Sequence, residues 1–226
     1  MTMPFYVAPE QMMKDRADYA RKGIARGRAL VAAICSEGIV LCAENPSRML
    51  RKVSEIYDRI GFAGVGKYNE FDQLRIAGIR HADLKGFSFS REDVDARSLA
   101  NQYAQILGNV FTHEMKPMEV EILVTEVVAA PDEDQLFHIL YDGTLVDEES
   151  FCVLGGEADA VTERMAERWS AEAGRDEAVA ACVSALAGPD RTLGPEELEV
   201  ALLDRSAERR TFVRLEDAEV ASAIAT

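Results

Sequence analysis

Few residues in this chain are placed to do chemistry. If Met1 is removed, Thr2 becomes N-terminal, where a threonine hydroxyl can attack a carbonyl with its own α-amine as base. Such a nucleophile should open a rigid strand. Here Met3-Pro4 follows and a helix comes next, so the sequence speaks against it. The three histidines, His81, His113 and His138, are scattered without ligand spacing and read as structural or surface residues. Gly155-Gly156 ahead of a helix could cradle an anion on backbone amides, but two glycines are better read as a tight strand-to-helix turn. Arg51-Lys52 precedes a strand as two cations that read, taken alone, as solvated charges. There is no His-Glu-x-x-His, no P-loop and no Gly-x-Ser-x-Gly. The expectation is therefore a chain with no catalytic residue, no metal and no cofactor of its own.

Charge and composition narrow the partners. The chain has 226 residues and a formal net charge of −15, which argues against nucleic acid as a ligand. Residues 1–86 carry 14 Lys/Arg against 10 Asp/Glu, whereas residues 87–226 carry 11 against 30. A basic first third on an acidic chain suggests that this part meets something anionic. A hydrophobic fraction of 48% allows a sizeable core. Cys35, Cys42, Cys152 and Cys182 sit among apolar neighbours with no Cys-x-x-Cys, so they read as buried thiols in a reducing compartment. Neither a signal sequence nor an apolar run of about 20 residues is present, which places the expected location in the cytoplasm, away from membranes.

The elements that must position these residues follow from periodicity. Residues 1–8 show no period and read as a flexible extension. Pro9-Glu10 suits the first turn of a helix, and Met13, Ala17, Ala20 and Ile24 give it a thin apolar stripe. Strands are expected at 29–35 and 39–43, joined by Ser36-Glu37-Gly38, and again at 53–57 and 60–65. Two helical patterns follow at 68–81 and 94–112. Strands recur at 120–128, 137–141, 144–146 and 151–154, then helices at 158–169 and 176–186. Strands at 198–203 and 211–215 and a helix at 217–225 close the chain. Runs of strands alternating with helix pairs imply an α+β layered fold, with two sheets face to face and helices outside.

Several stretches resemble proteasome α-subunits of the bacterial, actinobacterial-type branch. Tyr19-Ala20-Arg21-Lys22-Gly23-Ile24-Ala25-Arg26-Gly27-Arg28 is similar to the end of that family's N-terminal helix, with Asp18-Tyr19-Ala20 at its acidic-Tyr-Ala triplet and Pro9-Glu10 at its start. Ala43-Glu44-Asn45-Pro46-Ser47, the stretch from Lys52 to Arg59, Gly66-Lys67-Tyr68-Asn69-Glu70-Phe71 and Tyr141-Asp142-Gly143-Thr144 add to the match, which runs from Pro9 to Leu215.

The resemblance implies a four-layer αββα sandwich of the N-terminal-nucleophile hydrolase type with an extra N-terminal α-helix. Residues 9–226 would form this single domain, with 1–8 as a gate segment. It further implies a non-catalytic subunit, seven copies of which form a homo-heptameric outer ring against the catalytic β-subunit ring. A hexameric AAA ATPase, or another activator, would insert its C-terminal tails between neighbours to drive degradation of tagged proteins. In that pocket Lys52 matches the lysine that pairs with the tail carboxylate, and Gly27 and Asp18 match flanking positions. The gate would consist of Met1, Thr2, Met3, Pro4, Phe5, Tyr6, Val7 and Ala8. Where other branches carry Tyr-Asp-Arg this arm reads Phe5-Tyr6-Val7-Ala8, so the plug is expected to act by occupying the pore. Lys67 stands where an apolar pocket wall is expected. Two further readings are compatible with the sequence: a self-sufficient N-terminal-threonine peptidase of the same fold, and a non-proteolytic ligand-binding scaffold.

Overall fold

A computed structural model describes residues 8–225, so the expected gate residues Met1 to Val7 lie outside the described residues. Helix α1 (Pro9–Ile24) leads into strands β1 (Leu30–Cys35), β2 (Gly38–Glu44), β3 (Val53–Tyr57) and β4 (Ile60–Gly66). Helices α2 (Tyr68–Ser88) and α3 (Ala96–His113) follow, then β5 (Val120–Glu126), β6 (Gln135–Ile139), β7 (Leu145–Glu148) and β8 (Phe151–Leu154). Helices α4 (Ala158–Ala166) and α5 (Arg175–Ala187), strands β9 (Leu198–Asp204) and β10 (Phe212–Arg214), and helix α6 (Asp217–Ile224) complete the chain.

The strands form two antiparallel five-stranded sheets, ordered β10-β9-β2-β1-β8 and β3-β4-β5-β6-β7. The period of two divides each strand between two cores. On β1, Val31, Ala33 and Cys35 pack with Val161 and Met165 of α4, Val179 and Cys182 of α5, and Val220 of α6. The alternate residues, Leu30, Ala32 and Ile34, face Val53, Ala63, Val65 and Leu123 of the other sheet. There, Phe62, Ile122 and Phe137 turn outward onto Leu74 of α2 and Leu99 and Tyr103 of α3. The result is the expected αββα sandwich. Burial on both faces explains why β1 and β2 read as unbroken apolar runs rather than alternating ones.

Helix α1 lies outside these layers. Ala8 is extended and exposed ahead of Pro9, which occupies the first helical turn. Arg16 donates to the carbonyls of Phe111 (2.8 Å) and Val110 (3.1 Å), tying α1 to the last turn of α3. Ala20 and Ile24 bury against Tyr141. No helix among the described residues is long and apolar enough to cross a membrane.

Two helices differ in length from the sequence expectation by three residues or more. Helix α2 runs on to Ser88, because its apolar stripe stops before the helix does: Leu84 and Phe87 point to solvent, so no periodic signal marks its last turns. Helix α4 ends at Ala166 rather than reaching Trp169, whose indole N–H instead donates to the Ile34 carbonyl at 3.0 Å.

At the β1–β2 hairpin end an ion pair clamps the two sheets. Arg205, just past β9, reaches Asp134 with two bonds of 2.8 and 2.7 Å, and its Nη1 also donates to Val128 O. The Asp134 side chain is fully buried and accepts the Val128 amide as well. Removing one member leaves the other charge buried without its partner. Arg205→Ala is therefore expected to cost about 3–5 kcal/mol in denaturant unfolding of the purified protein, and adding Asp134→Leu to recover part of that. A loss below about 0.5 kcal/mol for the single variant, the range of an ordinary surface change, would show the clamp to be idle.

Candidate functional site

The site is built around Lys52, the residue before β3. Its backbone is fixed from beneath by Glu199, a β9 carboxylate that is 1% exposed. Glu199 Oε2 accepts the Lys52 amide at 2.9 Å and the Asn45 side-chain amide at 2.7 Å, while Oε1 accepts from Arg214 at 2.5 Å. The Lys52 carbonyl accepts from the Gly64 amide on β4 at 3.0 Å. With both backbone groups held, the side chain leaves the sheet in one direction, and its ammonium donates to the carbonyls of Arg28 (2.7 Å) and Glu44 (3.1 Å).

Those carbonyls flank the start of β1 and the end of β2, which pair in register from Leu30↔Ala43 onward. The Glu44 carboxylate is itself gripped by Arg28 (2.5 Å) and by both terminal nitrogens of Arg191 (3.0 and 3.1 Å). Burial pushes the Glu44 carboxyl up, but the Arg191 and Arg28 guanidiniums more than offset it and hold it below the usual range. For Lys52, burial is the largest influence and lowers the ammonium to about 8, against the opposing pull of Glu44 and Glu199. Arg28 and Glu44, with Arg164 and Arg191, also line a cavity of about 540 Å³.

Gly27 lies beside this cluster. Its amide donates to the Ile24 carbonyl at 2.8 Å, and a Cβ there would come within 2.8 Å of Val65, so a side chain would wedge between the end of α1 and β4. Gly155 (φ +68°) and Gly156 (φ +54°) make the expected turn ahead of α4, in a conformation that side chains disfavour. A Cβ on Gly156 would lie 3.3 Å from the Gly27 carbonyl, so this turn packs on the α1–β1 connection. Asp18 stands apart: it is half-exposed on α1 and pairs with Arg21 at 3.5 Å, and among the described residues no hydrogen bond or ion pair joins it to Lys52. Lys67 pairs with Glu70 at 3.4 Å one helical turn on. The structure thus brings Lys52 and Gly27 to one place, adds Arg28, Glu44 and Glu199, and leaves Asp18 outside.

The arrangement suits the capture of an anion rather than the making of a bond. An ammonium offers three donors, and two are given to carbonyls here. A compact carboxylate would complete the set with a charge-assisted bond. The four cysteines are buried and free. Burial pushes the Cys42 thiol up to about 12, and those of Cys152 and Cys182 well above the ordinary value, so none is a ready nucleophile near neutrality.

Comparison with known proteins agrees with this architecture. A family model described as proteasome subunit matches residues 24–202. The chain is 63% identical over 224 residues to a protein named proteasome subunit alpha from Acidimicrobium ferrooxidans, covering 99% of this chain and 97% of that protein. A protein of the same name from Sanguibacter keddieii is 56% identical over 220 residues, covering 95% of this chain and 86% of the relative. One from Kineococcus radiotolerans is 52% identical over 235 aligned positions, covering 100% and 99%. With the family match spanning both sheets and α-named relatives covering nearly the whole length, the chain belongs to the proteasome subunit family, among its α-type members.

Proposed function

We propose that this chain is the non-catalytic α-subunit of a cytoplasmic proteasome core. Seven copies close an outer ring on each face of the catalytic β-subunit rings. The segment 1–8 of each copy gates the axial pore, and Lys52 receives the C-terminal carboxylate of a hexameric AAA ATPase, or of another activator, that delivers tagged proteins for degradation. The observation that carries the reading is the match, over nearly the entire chain, to proteins named proteasome subunit alpha.

Physical features of the chain favour each part. Helix α1 stands between Thr2 and β1, so Thr2 does not open the first strand as an N-terminal nucleophile would. The catalytic work then falls to the partner. Helix α1 is anchored to α3 by Arg16, which gives the segment ahead of it a fixed point of departure. Lys52 is a cation with a depressed proton affinity, held by carbonyls rather than by an acid, so it gains most from an incoming anion. Gly27 flanks that anion as a position where a side chain has no room. Asp18, half-exposed, would enter the pocket from the neighbouring subunit, since tails insert between copies.

Deleting residues 2–8 is expected to raise peptide hydrolysis by the assembled α/β particle without changing its size. An unchanged rate in a correctly sized particle would remove the gate from this reading.

Lys52→Ala is expected to abolish activator-stimulated hydrolysis while leaving assembly intact, since loss of one member of a desolvated charge pair costs on the order of 2–5 kcal/mol. Normal activator binding by that variant would make Lys52 an ordinary lysine.

The depressed ammonium adds a pH dependence whose sign is fixed. Docking needs the protonated form, so affinity for a carboxylate-terminated tail peptide should be flat below about 7, halve by about 8 and fall roughly fivefold more between pH 8 and pH 9, where an unperturbed lysine would show no change before about 10. Lys52→Arg, charged throughout, should abolish that fall; a wild-type profile flat to pH 10 would contradict the assignment.

A further inference from the structure

Spacing gave the histidines no role, but the sandwich brings one of them to a cysteine and a carboxylate. On β6, Phe137 and Ile139 face the α2–α3 side, so the alternation turns His138 to the opposite face, toward the other sheet. On β8, Phe151 and Val153 pack on the α4–α5 side, which turns Cys152 inward to meet it. Glu148 arrives from the end of β7. One ligand atom from each of His138, Glu148 and Cys152 lies within 4.8 Å of the others. Nδ1 of His138 is 4.0 Å from Glu148, and Nε2 is 3.6 Å from Glu121 on β5. That Nε2 is buried and has no hydrogen-bond partner among the described residues. The cavity here, about 630 Å³, is lined further by Asp147, Glu149 and Asp159, and no Lys or Arg is among its lining residues.

We propose that His138, Glu148 and Cys152 form a binding site for a zinc-class divalent cation that bridges the edges of the two sheets. Imidazole, thiolate and carboxylate together are a donor set for zinc, and unsuited to magnesium, which takes oxygen. Glu121 supplies the carboxylate behind the histidine: it would accept a hydrogen bond from Nε2–H, leaving the Nδ1 lone pair for the ion. The fourth position is open to water. Binding exchanges one proton for the cation: the Cys152 S–H bond breaks, its proton leaves to solvent, and a sulfur–metal bond forms. Because β7 and β8 are the edge strands of their sheets, an ion here fastens the sandwich along its open side.

The test is titration of the chelator-treated full chain with Zn²⁺ by calorimetry, together with the absorption spectrum of the Co²⁺-loaded chain. The expected result is a single ion per chain, a thiolate-to-cobalt charge-transfer band, a raised melting temperature, and no competition from Mg²⁺. Cys152→Ser should remove the cobalt band, and His138→Gln should weaken Zn²⁺ binding by at least about a hundredfold. Glu121→Gln, a positioning change, should weaken it about 10–100-fold while keeping the band. No stoichiometric uptake, uptake without the charge-transfer band, or uptake indifferent to Cys152→Ser and His138→Gln would overturn the proposal. The wild-type cobalt spectrum decides the matter even if a variant fails to fold.

Discussion

The end of the molecule that carries Lys52 depends on a single buried carboxylate. Glu199 sits on a central strand of one sheet, almost without access to water, and a charge in that position is tolerable only if its lone pairs are filled. Asn45, Arg214 and the amide of Lys52 fill them. These partners come from the connection leaving β2, the entry to the opposite sheet and the last strand, so satisfying one carboxylate fixes where three segments meet. The ammonium of Lys52 is then directed at the β1–β2 end with no freedom left in its backbone. An interaction made for solvation becomes the device that aims an ammonium.

The opposite end shows the same logic with another pair. Arg205 and Asp134 join the β9–β10 turn to the loop before β6, and both also hold Val128 just past β5, Arg205 by its carbonyl and Asp134 by its amide. Between the two polar ties the interface is apolar and non-directional, filled by Leu30, Leu41, Leu123 and Leu136. Hydrophobic contact supplies the bulk of the cohesion, and the charged ties set the register in which the sheets face one another.

Much of the fold was legible in the sequence because its cause is local. The apolar runs of β1 and β2 announced strands, and the helix pairs between runs of strands announced the layers. The end of α2 was not legible, since Leu84 and Phe87 carry no burial to mark a period. The site divides in the same way. Lys52 and Gly27 were singled out through a family likeness carried by short contiguous stretches. Glu199, Arg191 and the pairing of His138 with Cys152 were invisible, because the sequence separates residues that only the closing of two sheets brings together. No signal of spacing or composition could have joined them.

The acceptors of Lys52 have a consequence for variation. They are the backbone carbonyls of Arg28 and Glu44, not side chains, and their separation is set by the β1–β2 register and by the Glu44 amide bonding to Ala29 O at 3.1 Å. Any residue at 28 or 44 presents the same two oxygens. The seat of the lysine is therefore written in the shape of a hairpin rather than in the side chains at the two positions that form it.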